Sequence, residues 1–245
     1  AIYLVGWVAL QLLREQAPSL AFDATAGLSL GEFTALAAAD ALGFEDGLRV
    51  VRRRGEVMQE ACEASAGGMA AIVGLDEEAV HAVCDQGGVS LANLNCPGQI
   101  VVSGDADKMD AACDAAKAAG AKRAIPLPVA GAYHSPLMQP AQAGLAGALA
   151  KVELREPSVP VYSNVTGQAH AAAGTIAATM VDQVTSPVKW EACIRAMIAD
   201  GITRFIELGP GKALSGFMRR IDRDIEMLNV ADCDSLAKAA ESLNG

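Results

Sequence analysis

A serine between two glycines is the strongest candidate nucleophile in this sequence. Residues 27–31, GLSLG, lie between a predicted strand and a predicted helix, the context that a G-x-S-x-G nucleophile elbow requires. The glycines allow a sharp turn that presents the Ser29 hydroxyl, and the helix N-terminus favours negative charge that develops beside it. The Leu30 N–H is then a candidate oxyanion donor. The alternative is a glycine-rich helix start in which Ser29 only caps the helix.

A serine nucleophile needs a base, and the chain has three histidines. His134 follows a predicted strand, in the Pro- and Gly-rich loop PVAGAYHSPL, and loops at strand ends often carry active-site residues. His81 lies on a predicted helix, where packing or a surface position is the simpler interpretation. His170 lies in a polar loop, where we expect it to be exposed. His134 is therefore the candidate base, with helix capping as its alternative role.

Three consecutive arginines, at 52–54, lie on a predicted helix over 44–64. Successive helical residues point about 100° apart, so the three cannot all face one way. Arg54 shares the apolar face of Val51 and Met58 and is expected to be buried. A buried arginine needs an anion, which a substrate carboxylate supplies with two parallel hydrogen bonds. The alternative is that all three arginines are solvated.

Helices and strands alternate along most of the chain, which is typical of an α/β fold. The predicted order over 67–127 is β-α-β-β-α-β, the order of a ferredoxin-like unit. We therefore expect this small domain to be inserted in a large α/β domain formed by 1–66 and 128–245. A predicted strand at Phe22–Ala26 leads into the serine turn.

The first residues, AIYLVGWVALQLL, predict a helix that is buried on most sides. The stretch is shorter than the ~20 apolar residues of a membrane span and lacks the basic start of a signal peptide. We therefore expect no membrane association. Because the chain opens inside a helix, we also expect natural sequence upstream of Ala1.

Composition argues against nucleic-acid binding and against metal sites. Lys and Arg number 19 against 29 Asp and Glu, a net charge of −10, and only 4% of residues are aromatic. Phosphate binding needs clustered cations, and base stacking needs aromatic platforms. The six cysteines are irregularly spaced without a C-x-x-C pair, which argues against structural zinc and against a disulfide framework. Reduced thiols in a cytoplasmic protein are expected.

These segments together resemble the malonyl-CoA:acyl carrier protein transacylases. The resemblance runs, in the family's order, through GLSLGEFTALAAADALGFEDGLRVVRRRGEVMQEA, GGMAAIVGL, NLNCPGQIVVSG, AYHSPLMQPA and ELGPGKALSGFMRRI. It implies an α/β-hydrolase-like large domain with an inserted ferredoxin-like small domain. It also implies transfer of malonyl from malonyl-CoA to the phosphopantetheine thiol of an acyl carrier protein, in fatty-acid or polyketide synthesis, by a monomer that needs no cofactor.

The resemblance implies a role for each matching residue. Ser29 would take malonyl as an ester, and His134 would act first as base and then as acid. The Gln183 backbone carbonyl would hold the other ring nitrogen of His134, the Leu30 N–H would bind the oxyanion, and Arg54 would bind the malonyl carboxylate. Two pocket-lining positions complete the set: Asn95 and Met58.

The sequence departs from the family at two places. Leu28 stands where the family usually has histidine, and the family's GQGxQ segment, which supplies a second oxyanion donor, would precede Ala1. Loss of one such donor costs about 10²–10³ in rate. Two other functions stay open: a catalytically weakened carrier-binding protein, and an α/β-hydrolase-type serine esterase. The esterase is disfavoured because its histidine usually comes late in the chain.

Overall fold

The computed structural model describes residues 1–245 and has a mixed α/β fold, as the alternating pattern predicts. The helices are α1 (Ile2–Gln16), α2 (Gly31–Ala38), α3 (Phe44–Ala64), α4 (Glu77–Gly87), α5 (Met109–Ala118), α6 (Gln139–Leu149), α7 (Ala173–Asp182), α8 (Trp190–Ala199), α9 (Ala213–Ile221) and α10 (Cys233–Asn244). The strands are β1 (Thr25–Ala26), β2 (Gly67–Val73), β3 (Ser90–Cys96), β4 (Gln99–Asp105), β5 (Arg123–Pro126), β6 (Val161–Tyr162), β7 (Arg204–Leu208) and β8 (Glu226–Val230).

Four strands form an antiparallel sheet in the order β3-β4-β2-β5. The elements follow one another as β2-α4-β3-β4-α5-β5, the order predicted for this stretch. Asp76 caps α4 by accepting the Ala79 N–H, and Gly88 ends that helix with a φ of 62°. A core of its own, which includes Ile72, Val80 and Val102, is buried between the sheet and the two helices.

The remaining strands form two separate parallel pairs, β1 with β6 and β7 with β8. The strand predicted at Phe22–Ala26 is shorter than expected, because only its last two residues pair with β6. Pro160, which precedes β6, has no N–H with which to extend the ladder. The two pairs face a common cavity of about 830 Å³, whose walls include β1, the serine turn, α1 and β7.

The long helix α3 is the main support of the site. Its apolar stripe packs on α2 and α6, in the largest core of the protein, and buries Val50, Val57 and Met58. Glu45 and Asp46 lie in its first turn, where negative charge is favourable. The helix thereby fixes the position of Arg54 relative to the start of α2.

The expectation that α1 is buried on most sides is wrong. The helix packs on α2, α10 and β7 through one stripe that consists of Tyr3, Gly6, Leu10 and Leu13. This three- and four-residue spacing covers only one face of a helix, and the other face is open to solvent. The large apolar residues on the open face are Ile2, Leu4, Val5, Val8 and Leu12.

None of the helices combines the length and the apolar character needed to cross a bilayer. All six cysteines are free thiols, and only Cys233 is exposed. The fold brings no three His, Cys, Asp or Glu side chains together in a group able to hold a metal ion.

Gly27 and Gly31 provide a test of the turn that carries the serine. A Cβ on Gly27 would overlap the Gly31 carbonyl, whereas a Cβ on Gly31 meets no atom within 4 Å. Gly27→Ala is therefore expected to lower the free energy of unfolding by about 2 kcal/mol or more, as overpacked sites do. Urea unfolding measures the change. Gly31→Ala is the matched control, and equal stability of the two variants would contradict the close packing of the turn.

Candidate active site

Ser29 sits in a strained turn between β1 and α2. Its φ of 53° is in the left-handed region, which non-glycine residues rarely adopt outside constrained sites. Leu30, not Ser29, is the N-cap of α2, and no side chain caps that helix. The Ser29 hydroxyl instead lies 2.8 Å from His134 Nε2 and 2.9 Å from Arg54 Nη2. The helix-capping alternative for Ser29 is therefore wrong.

His134 lies on the loop between β5 and α6 and is 4% exposed. Its Nδ1 is 2.9 Å from the backbone carbonyl of Gln183. Because a carbonyl only accepts, Nδ1 carries the proton, which leaves Nε2 free to accept from the Ser29 hydroxyl. Ser135, not His134, caps the turn that follows, so the capping alternative for His134 is also wrong.

Burial lowers the pKa of His134 to about 4. The hydrogen bond to Gln183 acts in the opposite direction, and the positive charge of Arg54 reinforces the lowering. The imidazole is therefore neutral at pH 7, the state that a general base requires.

Arg54 is the buried member of the arginine run, as its helical face predicts, with 5% exposure. Arg52 is exposed and Arg53 is partly exposed, and both pair with Glu56. The hydrogen-bond partners of Arg54 are both uncharged, the Ser29 hydroxyl and the Gln183 side-chain oxygen at 3.2 Å. Its Nε is buried without a partner.

Burial lowers the pKa of Arg54 to about 10, and the negative charge of Glu32 acts in the opposite direction. The guanidinium is still protonated at pH 7. A positive charge whose hydrogen-bond partners are uncharged, next to a candidate nucleophile, is suited to bind an anionic group of a substrate.

The other predicted site residues, Leu30, Met58 and Asn95, make no side-chain hydrogen bond to Ser29. The Leu30 N–H donates no hydrogen bond within the chain, so it is free to act as an oxyanion donor. Met58 follows Arg54 by one turn of α3 and is buried in the main core. Asn95 is buried on β3, and its Oδ1 has no partner. The pocket-lining role of Met58 and Asn95 stays a prediction.

The expectation that His170 is exposed is wrong. Its side chain is 1% exposed, and its Nε2 lies 2.9 Å from Glu32 Oε1. A buried carboxylate retains a polar partner, which holds this loop histidine inside. His81, by contrast, has a side chain that is 60% exposed on α4.

Sequence reasoning missed Asn164 and Glu32. The Asn164 Oδ1 accepts the Ser29 N–H at 2.6 Å, and its Nδ2 donates to the Gly27 carbonyl at 2.9 Å, so one amide holds both sides of the turn. A usable signal existed for Asn164, because it follows β6, the strand that pairs with the one leading to Ser29. Glu32 gave a weaker signal, as an acidic residue in the first turn of a helix is usually exposed.

The geometry is that of a serine nucleophile with an adjacent base, oriented by a third group that is a backbone carbonyl instead of a carboxylate. Such a site forms and breaks acyl esters. The nearby guanidinium of Arg54 is suited to acyl groups that carry negative charge.

Comparison with known proteins agrees with this chemistry. Residues 4–238 match the family model of the acyl transferase domain. The chain is 46% identical over 226 residues to the malonyl CoA-acyl carrier protein transacylase of Bacillus subtilis, with 90% of this chain and 71% of that protein covered.

Solved structures give the same result. The malonyl CoA-acyl carrier protein transacylase of Clostridium perfringens superposes with a TM-score of 0.95 at 38% identity, covering 100% of this chain and 78% of that one. A malonyl-transacylase in complex with its type II PKS acyl-carrier protein superposes with a TM-score of 0.93 at 36% identity, covering 98% and 79%. The chain therefore belongs to the malonyl CoA-acyl carrier protein transacylases of the acyl transferase domain family.

Proposed function

We propose that this chain transfers a malonyl group from malonyl-CoA, through an ester on Ser29, to the phosphopantetheine thiol of an acyl carrier protein. One observation carries the proposal. The Ser29 hydroxyl lies within 2.9 Å of both a neutral imidazole and a buried guanidinium. The relatives are named for this reaction, and one structural neighbour was solved with a carrier protein.

The first half-reaction makes the acyl-enzyme. His134 Nε2 takes the hydroxyl proton as Ser29 Oγ attacks the thioester carbonyl, and the Leu30 N–H stabilises the oxyanion that forms. The carbon–sulfur bond then breaks, and His134 returns the proton to the departing CoA thiolate. The second half-reaction reverses these steps, with the carrier thiol as nucleophile and Ser29 as leaving group.

Arg54 accounts for the choice of acyl group. The free carboxylate of malonyl supplies the anion that this buried guanidinium lacks, and the unpartnered Nε offers a second donor. A neutral acyl group leaves the charge without compensation inside the protein, which is costly. The site therefore favours malonyl over acetyl.

Two alternatives are less well supported. A serine esterase has no use for a buried cation at its nucleophile. A weakened carrier-binding protein is suggested by Leu28, but this side chain packs on the apolar cluster that contains Trp190 and Ile194. Leucine thus fits its place in the structure and leaves the Ser29–His134 contact intact.

The proposal extends to domain organisation. Residues 67–127 would form an inserted ferredoxin-like domain, and 1–66 with 128–245 an α/β-hydrolase-like domain, in a monomer that uses no cofactor. The antiparallel strand order and the separate core of the smaller unit support this division. His134 and Arg54 both belong to the larger unit, so the acyl ester would form there.

Labelled malonyl-CoA tests the proposed activity directly. We expect a covalent adduct on Ser29, located by peptide mass spectrometry, that passes to added acyl carrier protein and is absent in Ser29→Ala. An adduct that only hydrolyses would identify an esterase. Failure to form any adduct would favour the non-catalytic alternative.

Substitution of Arg54 tests the origin of acyl selectivity. Arg54→Ala removes charge-assisted hydrogen bonds of about 1.5–3 kcal/mol, so the ratio of malonyl to acetyl transfer should fall about 10- to 100-fold. Arg52→Ala, on the same helix but exposed, is the matched control and should leave the ratio unchanged. Equal losses of malonyl and acetyl transfer in Arg54→Ala would contradict the carboxylate contact.

The pH dependence follows from the two shifted groups. His134 works as the unprotonated base, and its pKa of about 4 keeps it unprotonated well below pH 6.5, the usual histidine value. We expect kcat/KM to stay level from about pH 5 to about pH 9 and to fall as pH drops through 4. Malonyl selectivity should decline as pH rises through about 10, where Arg54 loses its proton. An acid limb centred at 6.5 would show that burial does not govern His134.

A further inference from the structure

Glu32 is a fully buried carboxylate directly below the catalytic serine. It lies in the first turn of α2 and has 0% exposure. One oxygen accepts from His170 Nε2 at 2.9 Å. The other accepts from the Asn164 backbone N–H at 3.1 Å and from Gln183 Nε2 at 2.7 Å. The carboxylate thus joins the start of α2 to residues 164–183, more than 130 positions away in sequence.

Two of these partners are hydrogen-bonded to the backbone of Ser29, one to its N–H and one to its carbonyl. Asn164 accepts the Ser29 N–H, and Gln183 Nε2 donates to the Ser29 carbonyl at 3.1 Å. Every side-chain contact to the Ser29 backbone therefore comes from a residue that is itself hydrogen-bonded to Glu32. The left-handed conformation of Ser29 persists only where surrounding contacts fix it.

Gln183 also contacts the other two groups of the site, Arg54 and His134. Its side-chain oxygen accepts from Arg54 Nη2 at 3.2 Å, and its backbone carbonyl holds His134 Nδ1 at 2.9 Å. The amide orientation is set by Glu32, because a carboxylate accepts only from the NH₂ end. The oxygen end is thereby directed at Arg54.

We propose that Glu32 is a positioning residue, which acts through the Gln183 side chain to align the Ser29 hydroxyl with His134 and Arg54. The inference rests on the proposed function for its role in malonyl transfer. The alignment itself is a property of the structure and is open to measurement without malonyl-CoA. Charge-assisted hydrogen bonds from a buried carboxylate are suited to this role, since they are short and directional.

A fluorophosphonate probe, which reacts with activated serines, tests the proposal. Glu32→Gln keeps the size of the side chain but points an NH₂ group at donors. We expect the maximal rate of Ser29 labelling to fall about 10- to 100-fold, as misplaced nucleophiles do, while the probe concentration at half-maximal rate stays within about twofold. The matched control is Glu77→Gln, whose side chain is 60% exposed on α4, and it should label like the unchanged protein.

The rate and the final extent of Ser29 labelling distinguish a positioning role of Glu32 from a structural role. A positioning role slows labelling but lets it reach completion, whereas a merely structural role lowers the fraction of protein that is ever labelled. Unchanged rate in Glu32→Gln, or a loss confined to amplitude, would overturn the proposal.

A double-mutant cycle identifies the route. Gln183→Met removes the side-chain amide and keeps the backbone carbonyl. If Glu32 acts through Gln183, Glu32→Gln adds little to the slower labelling of Gln183→Met. Additive losses would overturn the proposed route. Should Glu32→Gln not fold, Gln183→Met alone decides: it must slow labelling at full amplitude, and unchanged rate overturns the proposal.

Parallel assays with malonyl-CoA keep the two proposals distinct. Slower probe labelling in Glu32→Gln without malonyl transfer by the unchanged protein would sustain the positioning role and refute the transferase. Malonyl transfer with equal labelling of both proteins would do the reverse. No labelling of Ser29 in the unchanged protein would overturn the positioning role, and the malonyl-CoA assay would then decide the transferase separately.

Discussion

The hydrogen bond between Ser29 Oγ and His134 Nε2 is the contact on which the site depends. It joins residues 105 positions apart, and both have a left-handed backbone, with φ values of 53° and 59°. Each conformation is unfavourable for a residue with a Cβ. The larger core, which packs α2, α3 and α6 together, supplies the stability that holds both turns in place.

The identity of the third group has electrostatic consequences. His134 is oriented by the Gln183 carbonyl, which fixes the tautomer without adding a negative charge. A carboxylate in that position would raise the pKa of the imidazole and would also attract the Arg54 guanidinium. With a neutral carbonyl, the base stays unprotonated and the guanidinium keeps its charge available. The only carboxylate close to the site, on Glu32, is held away from both by the Gln183 side chain.

Local patterns were sufficient to predict Ser29, His134 and Arg54. Each of these residues can be recognised from the few residues around it. They are a glycine-flanked serine at a strand-to-helix junction, a histidine in a loop after a strand, and an arginine on an apolar helix face. The network of Glu32, Asn164 and His170 has no such signature. These are polar residues in loops or a first helical turn, where exposure is the normal expectation, and only the tertiary fold buries them together. The open face of α1 was missed for a related reason. A continuous apolar run does not indicate which face of the helix packs against the rest of the protein.

Burial of one arginine out of three shows how helix geometry places a positive charge beside the candidate nucleophile. On α3 the 100° step between neighbours leaves Arg52 exposed and Arg53 partly exposed, where Glu56 pairs with both. The same step turns Arg54 inward, beside Ser29. Folding removes the Arg54 guanidinium from water, so the free-energy cost of its desolvation is met before substrate binds. In the proposed reaction, the malonyl carboxylate would then meet a guanidinium that α3 has already buried beside Ser29. The proposed malonyl selectivity would therefore be built during folding, by the same amphipathic pattern that forms the core.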